Sequence, residues 1–161
     1  MRRLLITGAG GSAASNFLDS IKLSDEKIYV VGVDMKPYHL ELFNCNKKYI
    51  IPGVNDDKYI DTLNNIIKNE KIDFVHPQPD IEVNFLSKNK NKINAKIFLP
   101  NYDVVEVCHD KMIFNKKLEE VGVMVPKAFH IKSPENLKEA LNELLKLQPR
   151  VWLRAIRGAG S

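Results

Sequence analysis

Apolar residues over the first hundred positions fall into two alternating kinds of run. The short stretches 2–7, 27–34, 49–51, 72–75 and 95–99 are almost continuously apolar, the pattern of strands buried on both faces. Between them the apolar residues recur at helical spacing. Ala14, Phe17, Leu18 and Ile21 make one stripe over 12–23, with Ser12 placed to cap it. Ile60, Leu63, Ile66 and Ile67 make another over 57–69, with Asp56 or Asp57 as the cap. A single turn is expected at 40–43 and a further helix at 81–88. Strands alternating with helices predict an α/β fold, a parallel sheet with helices on both faces.

The pattern changes after Pro100. Two short helices are expected at 104–109 and 111–121, the second ended by Gly122. An extended stretch follows at 127–131. Ser133-Pro134-Glu135 then opens a helix whose stripe is Leu137, Leu141, Leu144 and Leu145. A strand at 150–155 closes the series. The division this implies is a complete α/β domain over 1–105 and a small, partial α+β segment over 106–161.

Composition narrows the function classes. A chain of 161 residues with 44% hydrophobic content buries one good core and little more. The net charge of +4 comes from lysines scattered beside asparagine, as at 88–92, without interleaved aromatics, so no nucleic-acid partner is expected. Cys45 and Cys108 lie far apart, and His39, His76, His109 and His130 show no metal-ligand spacing, so no metal site is expected within the chain. Met1 leads straight into an apolar strand, and no apolar stretch approaches the length of a membrane helix. The expectation is a cytoplasmic protein without a membrane partner.

Three places carry candidate chemistry. Thr7-Gly8-Ala9-Gly10-Gly11 joins the first strand to the first helix, where Rossmann-like folds hold phosphate against a helix N-terminus. Asp34 ends the second strand, at the position of a ribose-binding acid. The other reading, that the glycines only tighten a turn and Asp34 only caps a strand, stays open. Asp80 and Glu82 follow the fourth strand and either face a ligand crevice or cap the next helix. A substrate or phosphate crevice would thus comprise Gly8, Gly10, Gly11, Asp34, Asp80 and Glu82. Short-chain dehydrogenase chemistry is absent, because no tyrosine has lysine four residues on. The third place is 150–161, where three of the five arginines (Arg150, Arg154, Arg157) flank the loop Gly158-Ala159-Gly160-Ser161. Backbone amides beside guanidinium groups suit a phosphate.

The order of these parts resembles the ATP-grasp superfamily, especially relatives of the carbamoyl-phosphate synthase large subunit. Members open on a Rossmann-like pre-ATP-grasp domain with a glycine loop. They continue with a D-K…L…G-V-x-x-P helix, matched by Asp110, Lys111, Leu118, Gly122, Val123 and Pro126. A strand bearing a basic residue and a glycine lid follows, matched by Arg154 and 158–161. The resemblance implies ATP and magnesium as cofactors and a small carboxylate as substrate. The carboxylate would be phosphorylated, then attacked by an amine or other nucleophile. It implies that Lys111, Arg154, Arg157, Gly158, Gly160 and Ser161 bind ATP, and that the magnesium ligands lie beyond position 161. Arginine at 154 and alanine at 155 depart from the commoner lysine and proline. No residue of the chain is expected to be catalytic by itself. The expectation is the N-terminal piece of a ligase, inactive alone. A stand-alone nucleotide-binding or regulatory module, with a partner subunit or as a homo-oligomer, and a NAD(P)-binding domain are the alternatives.

Overall fold

The computed structural model describes residues 1–158. The chain divides into two compact units, Met1–Tyr102 and Asp103–Ser161.

The first unit is built on a five-stranded parallel sheet. Its strands are β1 (Arg2–Thr7), β2 (Ile28–Asp34), β3 (Lys47–Ile50), β4 (Phe74–His76) and β5 (Lys96–Ile97), in the order β3-β2-β1-β4-β5. Its helices are α1 (Ser12–Lys22), α2 (Pro37–Glu41), α3 (Tyr59–Asn69) and α4 (Asp80–Lys88). Because side chains alternate across a strand, β1 serves two cores. Leu4 and Ile6 join Ala14, Leu18, Leu40 and Phe43 on the α1 and α2 face. Leu5 joins Tyr59, Leu63, Ile66, Ile67 and Leu86 on the α3 and α4 face. Continuously apolar strands therefore have helices to bury them on both sides, and the doubly covered α/β fold is borne out. Gly32 lies where Phe43 leans on the sheet: a Cβ there would come within 2.7 Å of the ring.

Helix starts differ from expectation in detail. Gly11, not Ser12, is the N-cap of α1, and no side chain caps it. Asp56 serves one turn early: its Oδ1 accepts from Lys58 N (2.8 Å), its carbonyl accepts from Tyr59 N (2.9 Å), and Lys58 is the N-cap of α3. Asp80 is the first residue of α4 after an N-cap at Pro79, so it contributes to the helix dipole and not a cap bond.

At the amino ends of the strands, Glu70 gathers three side chains. Arg3 Nη2 reaches Glu70 Oε2 at 3.1 Å, and Arg3 lies over the Tyr29 ring. Tyr49 Oη donates to the other carboxylate oxygen, and Arg3 Nε donates to the Glu70 carbonyl. The Tyr49 bond, ahead of the Tyr29 and Arg3 contributions, holds the Glu70 carboxyl below its usual range. That contribution is present at neutral pH and lost as the acid is protonated on acidification. Glu70→Gln is expected to cost about 1–2 kcal/mol at pH 7 and much less near pH 3, measured by urea unfolding.

The second unit contains α5 (Tyr102–His109) apart from its first residue, α6 (Lys111–Glu120) and α7 (Pro134–Leu144). Asp110 caps α6 by accepting from Met112 N (3.0 Å) and Ile113 N (3.1 Å). Ser133 caps α7 by accepting from Asn136 N (3.2 Å), with Pro134 at the first position. Gly122 stops α6 at φ +80°. The strand expected at 150–155 does not form: among the described residues of this unit no second strand pairs with it, and an unpaired strand leaves its backbone donors without a ladder.

Candidate functional site

Two places bring together residues singled out in the sequence, one in each unit.

In the first unit the carboxyl ends of β1, β2 and β4 converge. The connection after β1 leads to β2 on one side and that after β4 to β5 on the other, a switch point of the kind at which open parallel sheets generally hold ligands. The glycine loop at this point is closed upon the protein itself. Ala9 N donates to the Val33 carbonyl (3.1 Å), Gly10 N to Asp34 Oδ2 (3.2 Å), and Gly11 N to the Gly8 carbonyl (3.0 Å). Gly8 adopts φ +57°, and a Cβ on it would stand 2.2 Å from Pro79 Cγ. A Cβ on Gly10 would stand 2.1 Å from His39 Cβ. These two glycines are therefore required by close packing. Asp34, 5% exposed, also accepts from Lys36 N (3.0 Å) and lies 3.2 Å from His39 Nδ1. Its oxygens are thus already engaged.

Asp80 is exposed, whereas Glu82 turns inward. Glu82 Oε2, Thr7 Oγ1 and Tyr59 Oη are all sealed from solvent, and both hydroxyls lie close enough to Glu82 to hydrogen-bond its carboxyl. Burial pushes the Glu82 carboxyl up to about 7; the Thr7 and Tyr59 hydroxyls oppose that shift and the charge of Asp34 adds to it. Thr7 and Tyr59 were not legible as site residues, because an apolar-strand Thr and a helix-start Tyr carry no motif. His76 belongs to the packing: its ring stacks on Phe17 with centroids 3.9 Å apart, it contacts Gln78, and burial lowers its pKa.

In the second unit a cleft of about 1010 Å³ is lined by apolar side chains, among them Met112, Leu141, Leu153 and Ile156, with Lys111, Arg150 and Arg154 also contributing. Lys111 sits at the first position of α6. Its Nζ donates to the carbonyls of Ile156 and Gly158, each at 3.3 Å. Arg157 turns to acids instead: its Nε is 3.2 Å from Asp110 Oδ2 and its Nη1 3.5 Å from Glu106 Oε2. The backbone amide of Ile113, opposed by burial and helped by Arg157, keeps the Asp110 carboxyl below its usual range. Gly158 has φ +108°. Gly160 and Ser161 lie outside the described residues. An apolar cleft with cations in its lining suits a ligand with a flat apolar part and an anionic tail.

A family model for PylC-like N-terminal domains matches residues 4–98. No curated protein matches the chain in sequence. Among solved structures, N5-carboxyaminoimidazole ribonucleotide synthetase from Thermotoga maritima is similar over 89% of this chain and 36% of its own, with 23% identity and a TM-score of 0.55. The biotin carboxylase domain of 2-oxoglutarate carboxylase from Hydrogenobacter thermophilus, determined with MgADP, ADP and bicarbonate, is similar over 88% of this chain and 32% of its own, with 19% identity and a TM-score of 0.52. The chain spans about a third of the length of these proteins. At such identities the likeness is one of fold.

Proposed function

The chain belongs to the family of PylC-like N-terminal domains, and from that premise we propose that it is the N-terminal portion of an ATP-grasp ligase. The pre-ATP-grasp resemblance of the sequence is borne out by the family match and the five-stranded parallel sheet. The finer reading adds the second unit as the opening of the ATP-binding domain. It also adds a reaction in which a small carboxylate is activated as an acyl phosphate for attack by an amine. The kinship with the carbamoyl-phosphate synthase large subunit belongs to this proposal.

The observation that carries it is the cleft of the second unit. Lys111 there is held at a helix N-terminus, pointing its ammonium at two backbone carbonyls. An ammonium held by neutral carbonyls exchanges them readily for a phosphate, since charge-assisted bonds are stronger. Arg150 and Arg154 lie along the same cleft, whose apolar lining would take a purine. ATP, when bound, supplies the phosphoryl group; the residues here bind and orient it. Arg157 fits this scheme as a strut, fixing the start of the glycine loop to Asp110 and Glu106. Among the described residues no group of three or more His, Cys, Asp or Glu could hold a metal. The magnesium ligands implied by the resemblance are assigned beyond position 161, so no turnover of MgATP by the chain alone is expected.

Titration with a fluorescent ATP analogue tests the reading. The chain is expected to bind it saturably, and Lys111→Met to weaken binding at least tenfold, the loss of one charge-assisted hydrogen bond or more. Equal affinity in the two proteins would remove Lys111 from the site, and no binding by either would remove the proposal.

A further inference from the structure

In the second unit the start of the glycine loop is held against the N-terminus of α6 by contacts of two kinds. Backbone carbonyls meet Lys111. The Ile156 carbonyl accepts from Lys111 N at 3.2 Å, and the Ile156 and Gly158 carbonyls each accept from Lys111 Nζ at 3.3 Å. Between them Arg157 meets acids, its Nε 3.2 Å from Asp110 Oδ2 and its Nη1 3.5 Å from Glu106 Oε2. Asp110 spends its two oxygens on separate tasks, Oδ1 on the helix amides and Oδ2 on Arg157. Gly158 stands at φ +108°, and a Cβ on it would meet no described atom within 4 Å. Glycine there supplies a backbone angle and not room. We infer that residues 156–158 form an autoinhibitory strap: their carbonyls occupy the Lys111 ammonium, Arg157 fastens them there, and an incoming triphosphate must displace them.

The competition follows from the donors available. An ammonium has three N–H groups, and the strap engages Lys111 Nζ through two carbonyls. A phosphate that takes more than the remaining donor has to lift a carbonyl away. Those carbonyls compete well, because they belong to the same chain and stand at a high effective concentration. Arg157 lies between them in sequence and keeps both within reach. Phosphate still wins, since its bonds to the ammonium are charge-assisted, but its affinity is lowered by the cost of opening the strap. The fastening is weak enough to yield. Side-chain exposure is 48% at Arg157 and 30% at Glu106, so solvent and salt screen the pair.

The strap rests on the nucleotide reading of the cleft and gives Arg157 a role opposite to that of a phosphate ligand. Titration of the parent, Arg157→Gln and Glu106→Gln with the fluorescent ATP analogue and with inorganic triphosphate tests it. The first variant removes a cation and the second an anion. A purely electrostatic influence would weaken binding in Arg157→Gln and strengthen it in Glu106→Gln. The strap predicts tighter binding in both, each by about threefold, the worth of an exposed ion pair. Carbonyl-carbon NMR reads the contact without ligand: the Ile156 and Gly158 resonances are expected to move in both variants and in Lys111→Met. The same resonances should move in the parent when triphosphate is added. Weaker or unchanged binding by Arg157→Gln, in a parent that binds, would overturn the strap and leave the nucleotide cleft standing. Binding by none of the proteins would remove the cleft, and the strap's inhibitory role with it. A Gly158 resonance unmoved in Lys111→Met would remove the contact itself.

Discussion

At pH 8 the Glu82→Gln variant is expected to be more stable than the parent by up to about 3 kcal/mol, and at pH 4 to differ from it little. Burial raises the Glu82 carboxyl to about 7 in the folded protein, against an ordinary value of 4.5. Below the ordinary value the acid is protonated in both states and costs nothing. Between 4.5 and 7 the unfolded chain ionises freely while the folded chain keeps its proton. Stability then falls as pH rises, by about 1.4 kcal/mol per unit of separation, and above 7 the full loss is in place. Gln has the same shape and no charge to desolvate, so its profile lacks this slope. Chemical denaturation at pH 4, 6 and 8, read by circular dichroism, measures the difference. A parent whose stability matches the variant at every pH would show that Glu82 is solvated and that its pocket is open.

Gly10→Ala is expected to have a comparable effect in the opposite direction, a loss of about 3 kcal/mol or more. The new Cβ would stand 2.1 Å from His39 Cβ and 2.6 Å and 2.7 Å from the His39 carbonyl oxygen and carbon. Backbone cannot swing aside as a side-chain tip can, so either α2 or the loop must move. Moving the loop breaks the Gly10 N bond to Asp34, and moving α2 breaks the Asp34 contact with His39. Gly11→Ala is the control, because its nearest neighbour is the Gly8 carbonyl oxygen at 3.3 Å. That variant should lose about 1 kcal/mol or less. If thermal unfolding ranks the two equally, the glycine at 10 is not there for packing.

These two results bear on how much of the molecule could be read from its sequence. The alternation of unbroken apolar runs with helical stripes was enough for the sheet and its two layers. Parallel strands buried on both faces leave a strong pattern, and Leu4, Leu5 and Ile6 each found a core. Caps were harder. Ser133 was legible because its side chain reaches the third residue on, whereas Gly11 caps α1 with backbone alone. The 150–155 strand was misread because an apolar run specifies a strand only when a neighbour is present to pair with it. In the first unit, motif spacing located Gly8, Gly10, Asp34 and Glu82 at one end of the sheet. It could not say that His39 and Pro79 fill the room the glycines make. Nor could it find Tyr59, which arrives from a different element only when α3 packs over β1. Lys111 was singled out by resemblance, and its tether to residues 156 and 158 depends on a turn of chain that leaves no periodic trace.

The central claim is that nucleotide binds in the second unit and not on the first glycine loop. Its most direct test is an amide-resolved NMR titration of the chain with ATP, with NAD as comparison. The account predicts that ATP shifts the amides of Lys111, Met112, Arg154 and Ile156 and leaves those of Gly8, Gly10 and Gly11 in place, with NAD giving no response. Shifts confined to the first glycine loop, or a stronger response to NAD than to ATP, would contradict it and return the chain to the dinucleotide-binding class.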